Sequence, residues 1–171
     1  KEQQVIPLDR APVENIIASN DNNAQIVLGG DRVSNTATGY SGLGFEDSSA
    51  IDIVCGRAKA IKYKYKKSKI SFVNPDFKND AARIYISERT SVDKNFNLVK
   101  GKIGSSVGQS AIALKADAIR IIGTGGIKLV TRANSHFSSS DESVVPVSGI
   151  ELIAGNDDSF LQPMVKGDNL I

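Results

Sequence analysis

One histidine and one cysteine bound the chemistry open to this chain of 171 residues. His136 lies in the polar stretch Asn134-Ser135-His136-Phe137-Ser138. A hydrolytic triad needs its histidine on a rigid element beside a nucleophile on a sharp turn, and no G-x-S-x-G occurs. His136 therefore reads as a solvated loop residue. Cys55 ends the apolar run Ile51-Asp52-Ile53-Val54 and reads as a buried small hydrophobe, not a nucleophile. A single His and a single Cys make no zinc constellation. The acidic pairs Glu46-Asp47, Asp141-Glu142 and Asp157-Asp158 are sequence neighbours. Neighbours on a strand point to opposite faces, so adjacency alone builds no catalytic carboxylate pair. Calcium at Asp157 and Asp158 is an alternative set aside. The expectation is no catalytic residue, no metal and no cofactor.

The glycine clusters do not alter this. Gly39, Gly42 and Gly44 run in the wrong order for a dinucleotide fingerprint, and Gly123, Gly125 and Gly126 join two strand-like runs. Neither cluster opens a helix or ends in Gly-Lys-Ser/Thr, so neither reads as a phosphate cradle. Residues 59–69 carry six lysines interleaved with Ile61, Tyr63 and Tyr65. Such a ribbon can meet an acidic surface, but edge lysines also block stray strand pairing. With a formal net charge of only +2 there is no global field toward nucleic acid. Nucleic acid and membrane are not expected partners, and no run approaches the ~18 apolar residues of a span.

The elements that must carry these residues read as short strands. Ala24–Gly30, Ala50–Gly56 and Ala82–Ser87 each alternate apolar and polar positions and stop at glycine or a polar residue. Three such runs then follow almost without interruption: 111–115, 118–122 and 126–131, and Gly149–Gly155 closes the series. Ile112, Leu114, Ile119, Ile121, Ile127, Leu129, Ile150 and Leu152 fall on the apolar faces and are the expected core. Gly123 to Gly126 supplies a turn. The spacing fits either β-helix rungs or tight hairpin arms. Val13 to Ser19 suits one helical turn or a short strand, and Asn74-Pro75-Asp76-Phe77 a turn. No run of ten residues carries a 3.6-residue stripe, so little helix is expected.

Composition agrees with one globular unit: 40% hydrophobic, 23% charged, 15 glycines and no tryptophan. Residues 1–23, with Pro7 and Pro12, read as an N-terminal arm before a single β-rich domain over 24–171. Val5, Ile6 and Leu8 on the arm are candidate protein contacts. Tyr40, Leu43 and Phe45 in the glycine-rich loop need cover from somewhere and join them, with Tyr63 and Tyr65. The serine-rich stretch 132–145 reads as a mobile loop, and the apolar residues Leu170-Ile171 lead to the expectation of a longer chain.

The runs Asp80–Ser87, Ala113–Gly123, Gly126–Thr131 and Ile153–Asp158, with Leu161-Gln162-Pro163-Met164-Val165-Lys166-Gly167-Asp168-Asn169-Leu170, resemble virion structural proteins of tailed bacteriophages. The likeness spans roughly 24–171. The three consecutive runs also look like stacked-strand repeats of tail spikes, without their regular Val-x-Gly octads. The resemblance implies an all-β subunit without chemistry, in the virion and assembled in the host cytoplasm. Its expected architecture is a short-strand β-sandwich or β-prism, or a short β-helix-like stack, in an intertwined homotrimer. A capsid decoration or cement protein on the major capsid protein is the first expectation. A tail, baseplate or fibre component is the second. A polysaccharide-binding or depolymerising spike domain is the third, and the missing tryptophan counts against it.

Overall fold

The computed structural model describes residues 8–18, 23–31, 48–57, 73–131, 136–137, 143–144 and 149–162. Its centre is one antiparallel five-stranded sheet with almost no helix. The strands are β1 (Asn15–Ala18), β2 (Ala24–Gly30), β3 (Ser49–Cys55), β4 (Ala82–Thr90) and β5 (Gln109–Lys115), paired in chain order. Between β4 and β5 stands the five-residue helix α1 (Val92–Phe96). It closes on Asn97 in the left-handed conformation, whose successor Leu98 donates its N–H to the Asp93 carbonyl. A second, two-stranded sheet pairs β6 (His136–Phe137) with β7 (Ser143–Val144), where the sequence reading placed only loop.

Register fixes which side chains share a face, because the side-chain period is two. Ile26, Ile53, Ile84 and Leu114 lie in one cross-strand row. Leu28, Ile51, Ile86 and Ile112 lie in the next, and Ile17 extends the first row onto β1. The opposite face carries Gln25, Val54, Arg83 and Lys115 in one row and Val27, Asp52, Tyr85 and Ala113 in another.

The mixed face is the covered one. Val27, Val54 and Tyr85 are buried on it, beneath Leu8 and Phe77. The connection from Val73 to Ala81 forms part of this cover. Within it the Asp76 carboxylate accepts the N–H groups of Lys78 and Asn79, an Asx turn that lies about two residues later than the expected Asn74–Phe77 bend.

This arrangement corrects the expected core. Every residue assigned to it is exposed in the single chain, from Ile119 at 46% to Leu152 at 74%. Of the three consecutive strand-like runs only the first forms a strand, β5. Residues 118–131 make no ladder, and Gly149–Gly155 is likewise no strand. The reason is partnership: alternation specifies a one-sided ribbon but supplies neither a neighbouring strand nor a surface to bury it. Cys55 is a further correction. It is exposed, because it follows Ile51 and Ile53 onto the uncovered face. The 8–18 part of the expected arm belongs to the body, since it contributes β1 and the buried Leu8.

Candidate functional site

The covered face closes over charge. Arg57 and Arg83 are fully buried side chains flanked by Asp52 and Asp80. Asp80 Oδ2 lies 2.8 Å from Arg83 Nη2 and 3.2 Å from Arg57 Nη1. Asp52 Oδ1 lies 2.9 Å from Arg83 Nε, and Arg57 donates from Nε to Gln25 Oε1. Two cations against two carboxylates leave the cluster close to neutral, which is the condition for burying it. The Arg83 guanidinium also sits 4.5 Å from the Phe77 ring centre. Burial pushes the Asp52 carboxyl up from its ordinary value, against the pull of Arg83 and Arg57. Lys115 caps this end by donating to the carbonyls of Lys78 and Asp80, each at 2.7 Å. Its partial burial and the neighbouring Arg83 lower its affinity for the proton.

A hydroxyl and amide network adjoins it. The Tyr85 hydroxyl donates to Asp31 Oδ2 at 2.8 Å, and Ser87 donates to the same oxygen. Asn95 on α1 donates to Thr90 Oγ1 at 2.9 Å. The Phe77 and Tyr85 rings meet edge to face at 5.0 Å, with Phe96 tilted 4.7 Å from Phe77. Burial and the Asp31 carboxylate raise the Tyr85 phenol above its usual range. A cavity of about 20 Å³, room for a single water, is lined by Glu14, Asp31, Asp52 and Tyr85. A depression of about 710 Å³ opens beside the aromatic rings, lined by Phe77, Phe96, Leu98, Leu114, Lys115 and Asn156. Among the described residues no three His, Cys, Asp or Glu side chains stand together as a metal site.

The uncovered face is the opposite in character. Ile17 is 60% exposed, Leu114 53% and Ile112 71%, with Leu28, Ile51 and Ile84 also exposed. Ile26, Ile53 and Ile86 between them are half-buried. A broad depression of about 580 Å³ on this sheet is lined by Ile51, Ile86, Ile112 and Glu88 among others. Ile119, Ile121, Ile122, Ile127, Leu129 and Val130 then continue the exposed apolar surface beyond β5. Large contiguous apolar surfaces are rare on monomeric proteins.

A separate seam holds Ile150 and Leu152 in place while leaving both exposed. Glu151 accepts the Lys102 N–H at 2.6 Å, Asp158 the Gly101 N–H at 2.9 Å, and Asn156 the Val99 N–H at 2.9 Å. Asp157 instead bonds Ser159, which holds its carboxyl below the usual value. Asp157 therefore serves the local chain and Asp158 the seam, so the two carboxylates are engaged separately.

Of the candidate contact residues, Leu8 is 5% exposed and forms a bridge with Val73, so its own chain covers it. Val5, Ile6, Tyr40, Leu43, Phe45, Tyr63 and Tyr65 lie outside the described residues. The sequence reading missed the Arg57, Asp80, Arg83 and Asp52 cluster. Its one signal was a charge inside each of two strands, Asp52 at the middle of β3 and Arg83 near the start of β4. No helix among the described residues is long and apolar enough to cross a membrane. No protein-family model, curated protein or solved structure matches the chain.

Proposed function

We propose that this chain is a virion structural protein, a capsid decoration or cement subunit that acts by binding other proteins. The uncovered aliphatic face of the five-stranded sheet carries the reading. A folded chain does not keep so much apolar surface in water without a partner, and at roughly 25 cal/mol per Å² that surface can anchor a subunit. Two occupants share it in this reading: further copies of the chain in a homotrimer, and the major capsid protein beneath. The resemblance of Ala113–Gly123 and Gly126–Thr131 to tailed-phage virion proteins supports the setting.

The buried cluster of Arg57, Arg83, Asp52 and Asp80 supports a role without chemistry. Its four side chains pair with one another inside the covered face. One observation favours a second reading. The exposed segment 118–131, with its two apolar runs, suits a tail, baseplate or fibre component, in which such runs stack along an axis. Copy number in intact particles separates the two: hundreds of copies place the chain on the shell, and a few to dozens in the tail. Absence from purified particles removes both.

A further inference from the structure

The outer edge of β5 is open, because among the described strands only β4 pairs with it. In an antiparallel pair alternate residues turn both N–H and C=O toward the partner, and those between turn both away. Half of the β5 backbone therefore points outward, and among the described residues no backbone group outside the ladder bonds residues 110–115. The 710 Å³ depression runs along this edge. Four consecutive residues of β5, Ile112 to Lys115, line it and no residue of β4 does, so it lies beside the strand and not over a face of the sheet. Four strand residues at about 3.3 Å each span roughly 13 Å, the length of a short partner strand. The rest of the lining includes Phe77, Phe96 and Leu98. Phe77 is buried and held by the Tyr85 and Phe96 rings, whereas Leu98 and Leu114 are exposed.

The Phe77 end of the groove is basic. Lys115 spends two N–H groups of its ammonium on the Lys78 and Asp80 carbonyls, which leaves a third, and the Lys78 side chain is exposed. The nearby carboxylates are already engaged: Asp80 by Arg57 and Arg83, Asp76 by the Lys78 and Asn79 N–H groups. Asp93, the carboxylate in the lining itself, accepts the Ser106 N–H at 2.6 Å. We propose that this groove takes an extended segment of another protein as a sixth strand, in which acidic residues precede an apolar run. The open edge selects an extended backbone, and the rings with Leu98 and Leu114 take its apolar side chains. All four ladders of the sheet are antiparallel. A strand added in the same sense starts beside Lys115, which places leading acids against the two ammonium groups. This site goes beyond the proposed function, since it lies at the sheet edge and needs no virion.

The probe is an acetylated peptide of two glutamates followed by alternating valine and threonine, titrated into the full chain while amide hydrogen exchange is followed by NMR. Exchange at the outward amides of residues 112–114 is expected to slow at least about tenfold, with no slowing in β3. N-methylation of one alternate set of peptide nitrogens is expected to abolish binding, and of the other set to leave it. A peptide opening on two lysines should bind at least about fivefold more weakly, and Lys78→Glu should bring the two peptides within about twofold. Binding that survives both N-methylations, or that leaves the β5 amides unprotected, overturns the added strand. So does absence of binding at about 1 mM peptide. A preference for glutamate that is missing, or that Lys78→Glu leaves intact, overturns the acidic partner. Outward β5 amides already protected in the free chain also overturn it: protection that fades on dilution assigns the groove to a second copy, and protection that persists assigns it to the chain's own residues. The proposed function is read separately, from copy number in particles.

Discussion

Asp80 holds the Arg83 guanidinium at 2.8 Å with both side chains closed off from water. The same carboxylate oxygen serves Arg57 at 3.2 Å and accepts the Asp76 N–H at 3.2 Å. It is the hinge of the covered face. Asp80→Asn leaves two buried guanidinium groups facing a single carboxylate. Breaking a buried pair in this way costs about 3–5 kcal/mol. Urea unfolding of the chain with and without Asp80→Asn measures it. A change below ~1 kcal/mol would show that the cluster is not closed to water.

Tyr85 makes the alkaline limb of stability testable. Its phenol is raised from the ordinary 10.0 by burial and by Asp31. The unfolded chain therefore loses this proton first as pH rises past about 10, and the folded chain keeps it. The unfolded state then binds fewer protons, so stability falls with rising pH in that range. Tyr85→Phe is expected to remove this loss, and to lower stability at neutral pH by about 1–3 kcal/mol by stripping Asp31 of a donor. Denaturation midpoints at pH 8 and pH 11 for both chains check the sign.

Gly101 sits in the left-handed region at φ +61°, and an added Cβ would run into the Glu151 carboxylate. Gly101→Ala should therefore cost at least ~1 kcal/mol and loosen the seam joining 99–102 to 151–158. Hydrogen exchange at Lys102 and Val99, whose N–H groups bond Glu151 and Asn156, should accelerate at least tenfold. Unchanged exchange would mean the seam does not depend on that turn.

The two faces should respond oppositely to polar substitution. Ile84→Ser sits on the uncovered side, at 39% exposure, and Val54→Ser sits at 0% on the covered one. Ile84→Ser is expected to change single-chain stability by less than ~1 kcal/mol while weakening assembly or docking. Val54→Ser should destabilise the chain by ~2 kcal/mol or more, through lost burial and an unpaired hydroxyl. Sedimentation and urea unfolding read the two effects separately.

The strands of the sheet were legible where alternation met a partner. Ala24–Gly30 coincides with β2, and the runs at 50–56 and 82–87 coincide with β3 and most of β4. Alternation also sorted the faces correctly, putting Ile51 and Ile53 opposite Asp52. It did not say which face is covered. The usual assumption places the isoleucines inside, whereas here a charge cluster balanced by Arg57 and Asp80 lies inside and the isoleucines face out. Arg57 and Asp80 come from the chain flanking the strands, so no strand pattern announces them. The runs at 118–122 and 127–131 looked the same as β3 because residue order records a ribbon's sidedness and not its neighbour.

The meander of the sheet sets an order of events during synthesis. Each strand from β2 onward finds its mate already made, so every ladder closes as its second member leaves the ribosome. A newborn chain thus wears a finished aliphatic plate while the residues after Lys115 are still being made.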